Sequence, residues 1–448
     1  MRRRLLQAFV LVCTATLVLG ACVRNGSTAQ TASSGPDFVF DRKPAGDIIF
    51  LSTQMNPVEE AAKMRTSILG DFPGKVDFRP NDNNYLFSQI DVLLGDNPDA
   101  SVLVGALQGD LVQLWKEGKL RPVDDLFTSL SGRTFQESLL DLCRFDREAR
   151  WFVPWMQASY LMVAHRSALK YLPAGARLES LTYDNLFAWA KTIAERTGKP
   201  GVGFPAGEKG LMHRFFQGYL YPSFTGSTLV KFRSDAAVVM WDWFRNFWQY
   251  VNPSSFSYST MSEPLLAGDV LIAWDHTARL VKALEQKPDD FVVFPAPSGP
   301  AGRGFMPVLS GLAIPSGARS VDDLSILVDY LTRQAVQGRT LGETGFFPVL
   351  DSMDAWHLPP HLVAMQTAIA LQSSGADSIP VMMPTGLGTR GAEFNALYML
   401  TFSRIVLERV DARVTLDDNA VQLQGILDSQ AASCWLPDVA DSGTCVIE

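Results

Sequence analysis

Asp47-Ile48-Ile49-Phe50-Leu51-Ser52 runs on to Asn56-Pro57-Val58-Glu59, and the reading of this junction decides the fold class. Ile48 to Leu51 are consecutive apolar residues, which suits a strand buried on both faces. Asn56 can cap a helix, Pro57 fits its first position, and Glu59 reaches back to the helix start. Apolar residues recur at Met64, Ile68 and Leu69, and Gly70 is placed to end the helix. The same unit repeats downstream. Val76-Asp77-Phe78-Arg79 alternates like a short strand, and a helix is expected from Tyr85 to Leu94, stopped by Gly95. Ser101 to Val104 reads as a further buried strand, and Leu111 to Glu117 as a helix ended by Gly118. Strands alternating with helices imply a parallel sheet in an α/β layer fold.

Beyond Trp151 the alternation resumes. Strands are expected at Tyr160–Ala164, Val270–Trp274 and Phe291–Phe294. Helices are expected at Tyr183–Arg196 behind a capping Thr182, at Trp241–Tyr250, at Val321–Gln337 and at Gly391–Arg409. A chain of 448 residues exceeds one ordinary core, so two or three lobes are expected. The 47 acidic residues outnumber the 39 basic ones, three of which stand at the extreme N-terminus. With no basic run in the body, this balance argues against nucleic acid and against a polybasic membrane contact.

Arg2, Arg3 and Arg4 precede an apolar run from Leu5 to Leu19, closed by Leu19-Gly20-Ala21-Cys22. So short a run with a small-residue exit reads as a secretory signal over residues 1–21, not as a spanning helix. The tetrad resembles the lipobox of bacterial lipoproteins. That resemblance implies that Cys22 is acylated and anchors an extracytoplasmic protein to the cell membrane. Residues 22–44 would then be a lipidated tether. Its Val23–Pro36 part is rich in Ser, Thr, Ala and Gly, cannot build a core, and reaches on the order of 20 Å. In an exported chain Cys434 and Cys445, which flank a stretch with Pro, Asp, Ser and Gly, are candidates for a disulfide; two free thiols are the alternative. Cys143 is left as a small buried hydrophobe.

Several segments together resemble the bacterial extracellular solute-binding proteins of family 1, the group with the maltose and sn-glycerol-3-phosphate receptors. Asn97-Pro98-Asp99-Ala100 before a strand, then Gly118-Lys119-Leu120-Arg121-Pro122-Val123-Asp124-Asp125-Leu126, is similar to one family stretch. Phe152-Val153-Pro154 looks like the first crossing between lobes, and Gly268-Asp269-Val270-Leu271-Ile272 like the strand near the second. Phe294-Pro295-Ala296-Pro297 and Ser310-Gly311-Leu312-Ala313-Ile314 resemble the next two family segments, and Gly345-Phe346-Phe347-Pro348-Val349 the third crossing. The resemblance implies an α/β, two-lobed periplasmic-binding-protein fold, type II-like, with three interlobe crossings. Lobe one would take 45–153 and 288–347, and lobe two 154–287 and 348–448. It further implies the receptor of an ABC importer, a monomer that captures a carbohydrate by hinge closure and delivers it to permease subunits. Such a receptor performs no chemistry and needs no cofactor.

Carbohydrate recognition uses aromatic rings against sugar faces and planar polar side chains against hydroxyls. The candidates come from strand ends and crossings: Gln54; Asn56, which doubles as a helix cap; Tyr85 at a helix start; and Trp155 directly after Pro154. Tyr219 lies in the aromatic stretch from Phe215 to Phe224. Trp274, Asp275 and His276 end a strand, where a carboxylate needs a partner. Phe346 stands at the third crossing. Arg390 lies within Gly386-Leu387-Gly388-Thr389-Arg390-Gly391 and could bond hydroxyls or a phosphate bidentately. That run has a G-x-G-x-x-G form but follows Pro384, not a strand, which argues against a dinucleotide site. The family's usual gly-x-trp reads His276-Thr277-Ala278 here, so one stacking tryptophan is absent. Leu-Pro-Pro between His357 and His361 breaks the helix that a metal pair would need, and no hydrolase elbow or Walker loop occurs. A glycerophosphodiester or sugar phosphate as cargo stays open on the same fold, as does a surface glycosidase or adhesin.

Overall fold

The computed structural model describes residues 42–448 apart from 56–57, 82, 97–99, 131, 146–147, 352–357 and 439–442. The leader, Cys22, Asn56, His357 and all but the end of the tether lie outside the described residues. In chain order the strands are β1 (Ile48–Ser52), β2 (Val76–Pro80), β3 (Ser101–Leu107), β4 (Val153–Ala158), β5 (Tyr160–His165), β6 (Val202–Gly203), β7 (Ile272–His276), β8 (Phe291–Phe294), β9 (Arg303–Phe305), β10 (Val308–Ala313) and β11 (Ser378–Pro380). They form a five-stranded sheet in the order β2-β1-β3-β10-β4, a four-stranded sheet in the order β6-β7-β5-β8, and a small β11-β9 pair. Each large sheet is the centre of one lobe.

Parallel pairing joins β2, β1 and β3, and it also joins β6 to β7 and β11 to β9. β10 runs antiparallel to β3 and β4, and β5 antiparallel to β7 and β8. The reversals come from the crossings. β4 leaves the first sheet at Ala158, and after Ser159 the chain is already paired in the second sheet as β5. It returns to the first sheet as β10. The expected boundaries at 153/154 and 287/288 do not coincide with this pairing, because β4 is bonded into the first sheet and β8 into the second. Residues 345–351 likewise stay with the first lobe. Phe347 and Gln157 exchange backbone hydrogen bonds, and Asp351 N donates to Thr134 O at 2.8 Å. The helix Pro360–Ser374 then packs on the second sheet through Leu362, Met365, Ala368 and Ile369.

Three buried glutamines hold these crossings together. Gln337 Nε2 donates to Trp155 O at 2.7 Å and to Leu331 O at 2.8 Å, while its Oε1 accepts Val349 N at 3.1 Å. Gln157 Nε2 donates to Pro348 O at 2.7 Å. Gln372 Nε2 donates to Ser159 Oγ at 3.0 Å, and its Oε1 accepts Ala296 N at 2.9 Å. Chain passing between lobes leaves ladder positions, and its buried backbone groups need such partners.

The second sheet is buried on both faces. Tyr160, Met162 and Trp274 belong to one core, and Leu161, Val163 and Ala273 to another. The helix expected from Trp241 starts earlier, at Asp235, where Ser234 Oγ accepts Ala237 N at 3.3 Å; Trp241, Phe244 and Phe247 are core residues. The pattern over 321–337 divides into helices Val321–Leu331 and Gln334–Thr344. A disulfide joins Cys434 to Cys445 and brings Cys445 and Ile447 onto the larger core. Cys143 is free and buried, and burial pushes its thiol pKa well up. No helix among the described residues is long and apolar enough to cross a membrane.

Candidate functional site

Strand register shows which ends of the two sheets face each other. Leu107 of β3 pairs with Ser310 of β10, and Ser310 with Met156 of β4, so the C-terminal ends of β1 and β3 point toward the crossing at Ser159. On the far side of Ser159, Tyr160 opens β5 and pairs with His276, the last residue of β7. Thr53, Gln54 and Asp110 therefore mark the rim of the first lobe, and Tyr160, Asp275 and His276 the rim of the second. Thr53 Oγ1 donates to Asp110 Oδ2 at 3.4 Å. Opposed rims at strand carboxyl ends are a favourable place for a small ligand.

Most of the expected stacking surfaces are packed away from this cleft. Trp155 is fully buried, with its ring 5.3 Å from Phe50. Gly105 makes room for it, since a Cβ there would lie 2.8 Å from Phe50 and 2.9 Å from Trp155. Trp274 is also fully buried, stacked on Tyr160 at 4.8 Å with Tyr219 5.3 Å away. The Tyr219 hydroxyl accepts Tyr160 N and donates to Tyr160 O, each at 3.2 Å, so it clamps the crossing. Side chains alternate along a strand, and both tryptophans fall on faces that the cores cover. Phe346 is half-buried against the second lobe's core. Tyr85 is 62 % exposed on the helix Asn83–Asp96. Arg390 is spent on structure: it bonds Glu393 at 2.9 and 2.7 Å and donates to Gly425 O and Ser429 Oγ. Gln54 stays at the first rim, with its Nε2 donating to Thr53 Oγ1 at 3.2 Å.

Asp275 and His276 also carry structural duties. Asp275 is fully buried, and its two oxygens accept Met261 N at 2.9 Å and His276 N at 2.7 Å. Burial pushes its carboxyl up to about 7, against those donors and the charge of Arg279. It braces two segments, with both oxygens taken by backbone amides where a ligand contact was expected. His276 Nδ1 accepts Ala278 N at 3.3 Å and caps the helix Thr277–Gln286. Burial and Arg279 lower its imidazole to about 4, so it is neutral at pH 7 with its proton on Nε2.

The second rim also holds groups that sequence reasoning missed. The Tyr160 hydroxyl has no hydrogen-bond partner among the described residues, and burial raises its pKa to about 12. His213 and Arg214 lie on the turn Met212–Phe215, and burial together with Arg214 and Arg279 lowers His213 to about 3. Arg214 and Arg279 both act on Tyr160 and His213. Two signals pointed here. His213-Arg214 opens the aromatic stretch at Phe215, and Arg279 lies one helical turn beyond His276.

Cavities flank the crossings. One of about 290 Å³ takes Gln136 and Leu142 from the first lobe, Gln157 and Ser159 from the crossing, and Ile369 and Ser378 from the second lobe. Another of about 450 Å³ lies between Gly342 and Glu343 of the first lobe and Ala278, Val281 and His361 of the second. Ala278, where the sequence resemblance sets a tryptophan, lines this cavity. No group of three His, Cys, Asp or Glu that could hold a metal ion occurs among the described residues.

A family model described as bacterial extracellular solute-binding protein matches residues 74–338. No curated protein matches the chain. Solved structures share the fold. The sugar-binding protein MalE from Xanthomonas citri is 15 % identical, with 86 % of this chain and 98 % of that chain covered at a TM-score of 0.68. UgpB from Mycobacterium tuberculosis, in complex with glycerophosphocholine, is 18 % identical over 86 % and 99 % of the two chains, with a TM-score of 0.63. The GacH receptor of Streptomyces glaucescens, solved unliganded and with acarbose, is 15 % identical over 86 % and 98 %, with a TM-score of 0.61.

Proposed function

Since this chain belongs to the bacterial extracellular solute-binding protein family, we propose that it is the extracytoplasmic receptor of an ATP-driven importer and closes its two lobes on a carbohydrate-class cargo. One observation carries this reading: among the described residues the Tyr160 hydroxyl and the His213 ring of the second rim have no hydrogen-bond partner, and Gln54 stands on the other side of the Ser159 crossing. Such groups suit a hydroxyl-rich ligand, and narrow links between rigid sheets suit hinge closure. Two of the similar structures are of a sugar-binding protein and of a receptor with bound acarbose, which supports the same class of cargo. Members of the family are binding proteins, and a receptor of this kind hands its cargo to permease subunits. In this reading Cys22 carries the lipid, residues 22–44 are the leash, and the protein works as a monomer.

Thermal shift against a panel of mono- and oligosaccharides tests the proposal. A ligand at one hundred times its dissociation constant should add about 2.7 kcal/mol of stability. Release of a cleaved product from any member would instead favour the glycosidase alternative. Mass analysis of the membrane-extracted protein should show Cys22 acylated.

A further inference from the structure

We infer that the cavity of about 290 Å³ beside the crossings is a second ligand site, separate from the cleft, which takes a protonated amine on a small apolar body and favours one angle between the lobes. Its walls come from three places. Leu139 and Leu142 belong to the first lobe, Gln157 and Ser159 to the crossing, and Phe305, Ile369 and Leu436 to the second lobe. Gln54, Asp110, Tyr160 and His213, which mark the cleft rims, do not line it. A dry apolar cavity of about 150 Å³ holds a benzene ring, so an aromatic ring with a short chain has room here.

The polar part of the wall sets what the occupant must carry. Gln157 is only 4 % exposed, and its amide has a fixed orientation because Nε2 donates to Gln136 Oε1 at 3.1 Å and to Pro348 O at 2.7 Å. Its Oε1 accepts nothing among the described residues. A buried carbonyl oxygen left without a donor calls for one. Gln136 turns its own Nε2 to Leu350 O at 3.4 Å. Ser373 and Ser378, on the second-lobe wall, give their protons to Ala370 O at 3.2 Å and Gln372 O at 2.7 Å, which leaves their oxygens as acceptors too. Asp141 also lines the cavity and is exposed, and its carboxylate has no partner among the described residues. Acceptors inside and a carboxylate at the mouth suit a donor that is also a cation, and an alkylamine is protonated at pH 7 as lysine is. The apolar walls cover its body. Parting the lobes moves Leu142 away from Ile369, so the occupant binds one lobe angle better than another and shifts the population toward it.

The test is saturation-transfer NMR on the full chain, titrated with benzylamine, benzyl alcohol and benzoate. Benzylamine should bind about tenfold tighter than benzyl alcohol, since a hydrogen bond to a charged group is the stronger kind, and benzoate should bind least. Asp141→Asn should bring the amine down to the level of the alcohol. Ser373→Phe, a change at a half-buried helix position that fills the cavity, should abolish both. Gly109→Val, which forces the lobes apart at Thr385, should weaken the amine about tenfold because fewer molecules hold the competent angle. No binding of benzylamine, equal affinity for benzoate, or binding that survives in a folded Ser373→Phe protein overturns the site. If the Phe variant does not fold, Asp141→Asn decides, and an unchanged preference for the amine overturns it. Unchanged amine affinity in Gly109→Val overturns the coupling to lobe angle. A sugar that displaces benzylamine puts cargo in this cavity and overturns the second site while leaving the receptor reading intact. Amine binding with no sugar bound upholds the site and counts against the receptor reading.

Discussion

Asp275 is fully buried, and burial raises its pKa from 3.8 to about 7. The folded protein thus holds this proton more tightly than the unfolded chain. Its contribution to stability is fully present below about pH 3.8 and is lost as pH rises through about 7. The stability advantage of the natural protein over Asp275→Asn should therefore shrink between pH 4 and pH 8 in urea melts. A constant difference across that window would show that Asp275 stays ionised throughout. Trp155 makes a contrasting case. Its ring fills the space over Gly105 beside Phe50, so Trp155→Ala should cost about 3–5 kcal/mol in urea unfolding whether or not a ligand is present. Residue type alone suggested a stacking platform there, and only its position in β4 shows that it is core.

Elements are where local reading works best, and the crossings are where it stops. The strand–helix junction at Ile48–Leu51 is legible because burial and capping are written within about ten neighbouring residues. The three glutamines are not, since Gln337 reaches Trp155 O across 182 positions. Gln337→Leu would strip partners from Trp155 O, Leu331 O and Val349 N at once. Each buried group left unsatisfied costs about 1–3 kcal/mol, so a drop of that size or larger is expected in denaturant melts, and a neutral result would mean water replaces the amide. The tail is a milder case. Cys434→Ser opens a loop of 11 residues' separation and should cost about 3 kcal/mol on chain-entropy grounds. Hydrogen exchange should then rise around Cys445 and Ile447, which the disulfide brings onto the core.

At the scale of the whole molecule the lobes approach each other closely at Gly109. A Cβ at Gly109 would lie 2.1 Å from Thr385 Cγ2, and nearby Lys116 Nζ donates to Ser433 Oγ at 3.0 Å. Gly109→Val should therefore hold the lobes apart. Small-angle scattering should show a larger radius of gyration, and cargo should bind about tenfold weaker because the competent state is less populated. Unchanged scattering and affinity would show that closure does not need this contact. The order of strands and helices, the acidic surface and the family resemblance were all open to reading from the sequence. They rest on spacing and capping between neighbours and on segments that recur in order along the chain. Which candidate residues are packed into the cores or claimed by other partners was decided only by tertiary structure. Strand pairing sets the face on which Trp155 and Trp274 fall, backbone amides from another segment claim Asp275, and Glu393 claims Arg390. Among the described residues the His213 ring and the Tyr160 hydroxyl stay without partners, while Arg214 spends Nη1 on Gln217, and a free donor is defined by the absence of partners that only the folded chain can bring.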